Sequence, residues 1–244
     1  METKSKVLII GGTGHLGKRL VKASLEQGHE TYVLQRPDVG VNIEKVQMLL
    51  SFKKHGAHLV NGSFHDHQSL VDAVKQVDVV ICAMSGDFHI SSHPLLLQLK
   101  LVAAIKEAGN VKVKYLYACT DVPIFVDEDD IAAYTIKTID DPRTLNKTLY
   151  IRPPANILSQ RQLVEIWEKL IGKVLKKSSL SEKQFLDSLK EKDYIEQAAM
   201  THFYHFFYEG CLANFEIGDD AEEASDLYPD IKYTRVEDYL KQYI

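Results

Sequence analysis

Four glycines, Gly11, Gly12, Gly14 and Gly17, fall within the seven-residue run GGTGHLG. Glycines at this spacing do their chemistry with backbone. Bare N–H groups at a strand-to-helix turn, together with the positive end of the helix, make a seat for a pyrophosphate. Gly12, Gly14 and Gly17 satisfy G-x-G-x-x-G, and Gly11, Gly14 and Gly17 satisfy G-x-x-G-x-x-G, with Thr13, His15 and Leu16 filling the gaps. About 20 residues further on, a dinucleotide fold places the group that reads the adenosine ribose: an acid for two free hydroxyls, or an arginine for a 2′-phosphate. Here the next apolar run ends in Gln35-Arg36, then Pro37 and Asp38. Arg36 favours NADPH over NADH, against the plainer reading of a solvated strand-end charge. Lys45 opens the next helical stretch and is a candidate second phosphate contact, although a surface lysine explains it equally simply.

The surrounding elements are the ones this chemistry requires. Val7 to Ile10 is a continuous apolar run, as in a parallel strand covered on both faces, and Leu16, Leu20, Val21 and Leu25 recur at helical spacing up to Gly28. ETYVLQR, HLVNGSF and DVVICAMSG read as further strands, separated by helices over NIEKVQMLLSFKKHG and, capped by Asp66, HQSLVDAVKQV. Leu95 to Ala108 reads as a fourth, amphipathic helix. The alternation predicts an α/β, Rossmann-type doubly wound parallel sheet, with Ser63-Phe64 near an adenine and Ala83 to Gly86 near the nicotinamide ribose.

Bulk properties narrow the partners. With 244 residues, 45% hydrophobic and 26% charged, the chain can form one substantial core with a smaller second lobe. A net charge of −5 and a pI near 6.1 argue against nucleic acid and against an anionic membrane. Three well-separated cysteines, Cys82, Cys119 and Cys211, fit reduced thiols, and the N-terminus carries no signal-like segment, so a cytoplasmic protein is expected.

In the second half the acidic cluster Asp127, Glu128, Asp129 and Asp130 precedes IAAYTIK, where carboxylates cap a helix more readily than they hold a metal; no metal is expected. Ser159 to Gly172 reads as a capped amphipathic helix, with Trp167 and its other apolar positions as core. SEKQFLDSLKEK and YIEQAAMTHFYHFFYEG add two more. The helical, aromatic-rich tail suggests a small substrate lobe, in which His202, Phe203, Phe206 and Phe207 either line a pocket or simply pack. Residues 1–125 are read as an NADPH-binding Rossmann domain shortened at its C-terminal side, and 126–244 as mixed, partly returning to the sheet and mostly forming that lobe. The Tyr228 to Lys232 spacing matches Tyr-x-x-x-Lys, but Pro229 argues against the helix such a dyad needs.

GGTGHLGKRLVKASLEQGHETYVLQRP, SFKKHGAHLVNGSFHDHQSLVDAVKQVDVV, QLKLVAAIKEAGNVK, DPRTLNKTLYIRPPANILSQ and FEIGDDAEEASDLYPDIKY together resemble the plant pinoresinol–lariciresinol reductases. These belong to the atypical short-chain dehydrogenase group that also holds isoflavone and phenylcoumaran benzylic ether reductases. The resemblance implies an NADPH-dependent oxidoreductase of furofuran and furano lignans, with phenol deprotonation, ring opening to a quinone methide, and hydride addition at the benzylic carbon. It also implies that Gly11 to Gly17, Arg36 and Lys45 contact the cofactor, that His202 is a pocket histidine, and that a homodimer is compatible with the fold.

One block of the family pattern is missing. Relatives follow EAGNVK with a P-S-E-F-G strand, a helix bearing the catalytic lysine, another strand and a pocket segment before an acidic motif like VDEDD; here GNVKVKYLYACTDVPIFVDEDD runs straight on. The family lysine therefore has no match, and the catalytic residues are unassigned. KYLYACTD is a candidate fifth strand that would bring Thr120 and Asp121 to the nicotinamide end. Loss of the block should also strip cover from Leu95 to Ala108 and open a sheet edge. Three readings stand: a lignan reductase, a cofactor-binding protein without turnover, and an epimerase or dehydratase of the extended short-chain group.

Overall fold

The structure, a computed structural model, describes residues 4–36, 42–84, 93–109, 125–211, 215–218 and 220–244. The chain divides into two compact units: Met1–Ala118 with Ile131–Asn146, and Cys119–Asp130 with Lys147–Ile244.

The first unit holds a parallel sheet. β1 (Val7–Ile10), β2 (Thr31–Gln35), β3 (His58–Asn61) and β4 (Val79–Cys82) lie in the order β3-β2-β1-β4. β1 pairs with β2 from Val7 opposite Thr31, and with β4 from Val7 opposite Val79. Successive strand residues point to opposite faces, so each face collects its own core. Val7, Ile9, Val33, Val79 and Ile81 meet Leu16 and Leu20 of α1 (His15–Glu26), Leu49 of α2 (Ile43–Lys54) and Ala132 and Ile136 of α5 (Glu128–Lys137). Leu8, Ile10, Leu34 and Val80 meet Leu70 and Val74 of α3 (His67–Val74) and Leu101, Ala104 and Ile105 of α4 (His93–Ala108). Because both faces are covered, β1 has to be apolar throughout, and all four of its residues are buried.

On α4, Leu101 and Ala104 are wholly buried in the core they share with α3, while Leu99 is 58% exposed. The caps follow the sequence: Asn42 accepts from the Lys45 N–H at 3.0 Å, and Asp66 accepts from the Ser69 N–H at 3.2 Å.

The second unit pairs β5 (Thr148–Tyr150) with β6 (Ala221–Glu223) in parallel and adds α6 (Gln160–Ile171), α7 (Glu182–Leu189), α8 (Tyr194–Phe207), α9 (Ala224–Leu227) and α10 (Val236–Leu240). Ser159 and Gln162 form a capping box at the start of α6, and Gly172, at φ 66°, ends it in the left-handed conformation. Trp167 is half-buried, and α6 has no fully buried residue. Asn156, 1% exposed, ties its amide to two backbone segments: Nδ2 donates to the carbonyls of Phe125 and Thr234, both at 2.8 Å, and Oδ1 accepts from the Val236 N–H at 3.3 Å.

Leu8, fully buried at the centre of the sheet, and Leu50, 59% exposed on α2, give a paired test of this core. Leu8→Ala should cost about 2–5 kcal/mol in urea unfolding. Leu50→Ala should stay within about 0.5 kcal/mol of the parent.

Candidate functional site

The glycine loop joins the end of β1 to the start of α1. Gly11 turns at φ +84°, and a Cβ there would lie 2.7 Å from the Ala83 carbonyl oxygen; on Gly17 a Cβ would lie 2.0 Å from the Gly11 oxygen. No side chain fits at either place. The Gly14 N–H donates to Gly11 O at 2.8 Å, and Gly14 O receives the Lys18 N–H at 3.1 Å. Gly14 itself is the N-cap of α1 and offers no side chain to cap it, and the first turn holds no acid. The N–H groups of His15, Leu16 and Gly17 thus lie in the turn where a helix has no acceptors of its own. Gly14 and His15 are exposed, Thr13 is half-buried, and Leu16 is anchored in the core. An uncapped positive helix end beneath side-chain-free backbone fits an anionic diphosphate.

The sheet order explains why this end of the strands is the receptive one. β2 and β3 lie on one side of β1 and β4 on the other, so the strand order reverses at β1/β4, the switch point beyond whose carboxyl ends a doubly wound sheet receives its ligand. The Ala83 N–H carries the ladder one step past β4 by donating to Ile10 O at 2.8 Å. Met84 follows; Ser85 and Gly86 lie outside the described residues, as do Thr120, Asp121 and the candidate fifth strand.

Arg36 comes directly after β2 and is exposed. Gln35, the residue before it, is occupied, donating to Asn61 Oδ1 at 2.6 Å. Lys45 is half-buried in the first turn of α2. Asp38, the alternative ribose acid, lies outside the described residues. Ser63 and Phe64 do stand past the end of β3, but the Phe64 ring is buried in the core and Ser63 Oγ accepts from the His65 N–H at 3.2 Å.

The acidic cluster behaves as a helix start. Asp127 Oδ1 accepts from the Asp129 N–H at 2.8 Å, and Asp130, 8% exposed, accepts from the Thr234 N–H at 2.6 Å. Burial pushes the Asp130 carboxyl above its ordinary value. Among the described residues no group of three or more His, Cys, Asp or Glu could hold a metal. Tyr228 and Lys232 do not form a dyad: Tyr228 is 2% exposed at the end of α9, whereas Lys232 faces solvent.

His202 lies in the second unit, on α8. One side of that helix packs on α7, with the Phe185 and Tyr208 rings 5.2 Å apart and Tyr204 donating to Glu182 at 2.6 Å. His202 and Phe206 stack at 6.1 Å, and Phe203 and Phe207 at 6.0 Å; Phe203 is 50% exposed and no α8 residue is fully buried. An apolar helix left this open is suited to an aromatic ligand or partner. Reading the sequence alone missed the knot at Asn156; its one signal there is an asparagine straight after Pro153, Pro154 and Ala155.

The NmrA-like family model matches residues 3–122 and again 120–240. The chain belongs to this family. Among its relatives it is 53% identical to the bifunctional pinoresinol-lariciresinol reductase 2 of Linum usitatissimum, over 99% of this chain and 94% of the relative, and 50% identical to an isoflavone reductase homolog of Lupinus albus, over 99% of each. The solved structure of AtPrR2 with NADP+ and (+)pinoresinol superposes with a TM-score of 0.91 at 48% identity, covering 100% of both chains. A leucoanthocyanidin reductase–NADPH complex from Vitis vinifera reaches 0.82 at 26% identity. The family is thus that of the pinoresinol–lariciresinol reductases, and the fold is their α/β Rossmann-type fold. The Linum alignment runs over 311 positions, to which this chain supplies at most 244 residues, so at least 67 residues of the relative have no counterpart here. The two segments matched by the family model meet at residues 120–122, within the run from Gly109 to Asp130 where the family pattern was expected to be interrupted.

Asp130 gives a pH test. An acid whose folded pKa is raised lends relative stability below its unfolded value, 3.8, and loses it as pH rises through the folded value. Asp130→Asn removes that titration. Thermal melts at about pH 3.5 and about pH 6.5 should show the variant gaining on the parent at the higher pH, and a constant difference would count against the assignment.

Proposed function

We propose that this protein is an NADPH-dependent reductase of furofuran and furano lignans, taking pinoresinol to lariciresinol and on to secoisolariciresinol. The observation that carries the reading is the uncapped, side-chain-free turn at Gly11 to Gly17, in a chain about half identical to reductases of these two lignans. Gly11, Gly12, Thr13, Gly14, His15, Leu16 and Gly17 seat the pyrophosphate, and Arg36 and Lys45 hold the 2′-phosphate. Bound there, the cofactor supplies a hydride to the benzylic carbon. The first unit serves as the cofactor domain, and most of residues 126–244 serve as the substrate lobe, where His202 and the aromatic side of α8 receive a lignan ring. A cytoplasmic setting, a small-molecule substrate and a homodimer complete the reading. No helix of the described residues is long and apolar enough to cross a membrane.

A second reading has its own observation. At least 67 residues of the relative have no counterpart here, and by the resemblance the family's catalytic lysine belongs to such a missing block, which supports a cofactor-binding protein with little turnover. General acid–base groups contribute about 10²–10⁴-fold to rate. NADPH oxidation with pinoresinol, followed by absorbance, should therefore run about 10²–10⁴-fold slower than in a relative carrying the block. Turnover equal to such a relative would mean that another group does the work of the lysine.

Cofactor choice rests on Arg36. Arg36→Asp removes a charge-assisted hydrogen bond and adds repulsion, so NADPH affinity measured by titration should fall by a few kcal/mol, roughly 100-fold, while NADH affinity changes little. Equal losses for both cofactors would remove Arg36 from the site.

A further inference from the structure

The loop between α6 and α7 has no part in the reading above. Residues 173–180, KVLKKSSL, form neither helix nor strand, and every one of them is exposed. Lys173, Lys176 and Lys177 make this stretch basic in a chain of net charge −5, and it contains no acid. The loop is held at both flanks. Glu168 on α6 accepts from the Leu175 N–H and from Lys177 Nζ, both at 2.6 Å, and the Leu180 carbonyl accepts from the Tyr208 hydroxyl at 2.9 Å. Ser181 is committed to its capping box with Gln184. Between these anchors Ser178 and Ser179 have no hydrogen-bond partner among the described residues.

A protein kinase that selects basic substrates threads an extended, accessible segment past acidic side chains, so it needs a lysine or arginine a fixed few residues before the acceptor. Of all the serines and threonines in this sequence, Ser179 alone has a Lys or Arg three residues before it, Lys176; Lys177 adds a second charge, and the apolar Val174 and Leu180 stand five before and one after. Val174 is 88% exposed and Leu180 58%, so both are free to enter apolar pockets of a partner.

We propose that Ser179 is a phosphorylation site for a basic-directed serine kinase. The γ-phosphoryl group of ATP moves to Ser179 Oγ: the new O–P bond replaces the bond to the leaving ADP, and the hydroxyl proton passes to the kinase's catalytic carboxylate. The dianion then stands two residues ahead of the α7 N-cap, Ser181, where a helix end favours negative charge, and it competes with Glu168 for Lys177.

The test treats the purified, folded chain with ATP, Mg²⁺ and the catalytic subunit of cyclic-AMP-dependent protein kinase, and maps phosphate by mass spectrometry. Ser179 should carry the first phosphate, Ser179→Ala should abolish it, and Lys176→Glu should cut the labelling kcat/KM about tenfold or more with Ser179 intact. The native chain should label without prior denaturation, since residues 173–180 are all exposed. Labelling that appears only after heat denaturation, or that goes first to Ser178 or elsewhere, overturns the proposal. None of these outcomes depends on lignan turnover.

Discussion

One missing carbon atom at Gly17 governs the cofactor end of the molecule. With the Gly11 oxygen 2.0 Å from where a Cβ would stand, α1 can approach β1 only because residue 17 has none. That approach sets the register of the helix. It drops Leu16 and Leu20 into the core between Val7, Ile9 and Ile81, and it leaves the first turn of α1 at the carboxyl end of the strands with no side chain capping it. Core packing and phosphate seat are therefore consequences of one backbone contact. A larger residue would disturb both together, because the helix could not back away without uncovering the sheet.

The interrupted family pattern acts on this frame unevenly. The described part of the sheet keeps both layers: α1, α2 and α5 on one face, α3 and α4 on the other. α5 is the instructive member, since it comes late in the sequence and still buries Ala132 and Ile136 against the face that α1 covers. α4 keeps Leu101, Ala104 and Ile105 buried beside α3, the preceding helix, while Leu99 stands exposed. Local βα units secure their own cover from sequence neighbours, so losing a later unit costs less than removing a layer would.

What was legible in the sequence was whatever depends on short-range chemistry. The buried run of β1, the glycine turn, Asp66 as a cap, and α6 from its capping serine to its terminal glycine can all be read residue by residue, since each answers to spacing or to one backbone requirement. β6 could not be read. Ala-Glu-Glu has neither β-branched residues nor alternation, and it is a strand only because Thr148 to Tyr150, some seventy positions earlier in the chain, lies alongside it. Glu223 shows the tertiary bargain: its carboxylate accepts from the Arg152 N–H at 2.8 Å and from the Ser225 N–H at 2.7 Å, closing the strand and starting α9 at once. Asn156 was invisible for the same reason, because its partners lie on two segments, at Phe125 and at Thr234 to Val236, both far from it in sequence.

The two proposed binding regions differ in the same way. The glycine turn is backbone geometry and could be located from glycine spacing before any coordinates. The aromatic side of α8 is a surface, and a surface depends on what leaves it uncovered. The α8 aromatics could by sequence either line a pocket or pack; none of the helix's residues is fully buried, and α7 covers the side facing Phe185. Periodicity reports which residues prefer to leave water, but not whether a neighbouring element or a ligand will receive them. His202 stacked on Phe206 and Phe203 on Phe207 form one aromatic surface on α8 that no element among the described residues fully buries, and offset stacking is the contact such rings offer.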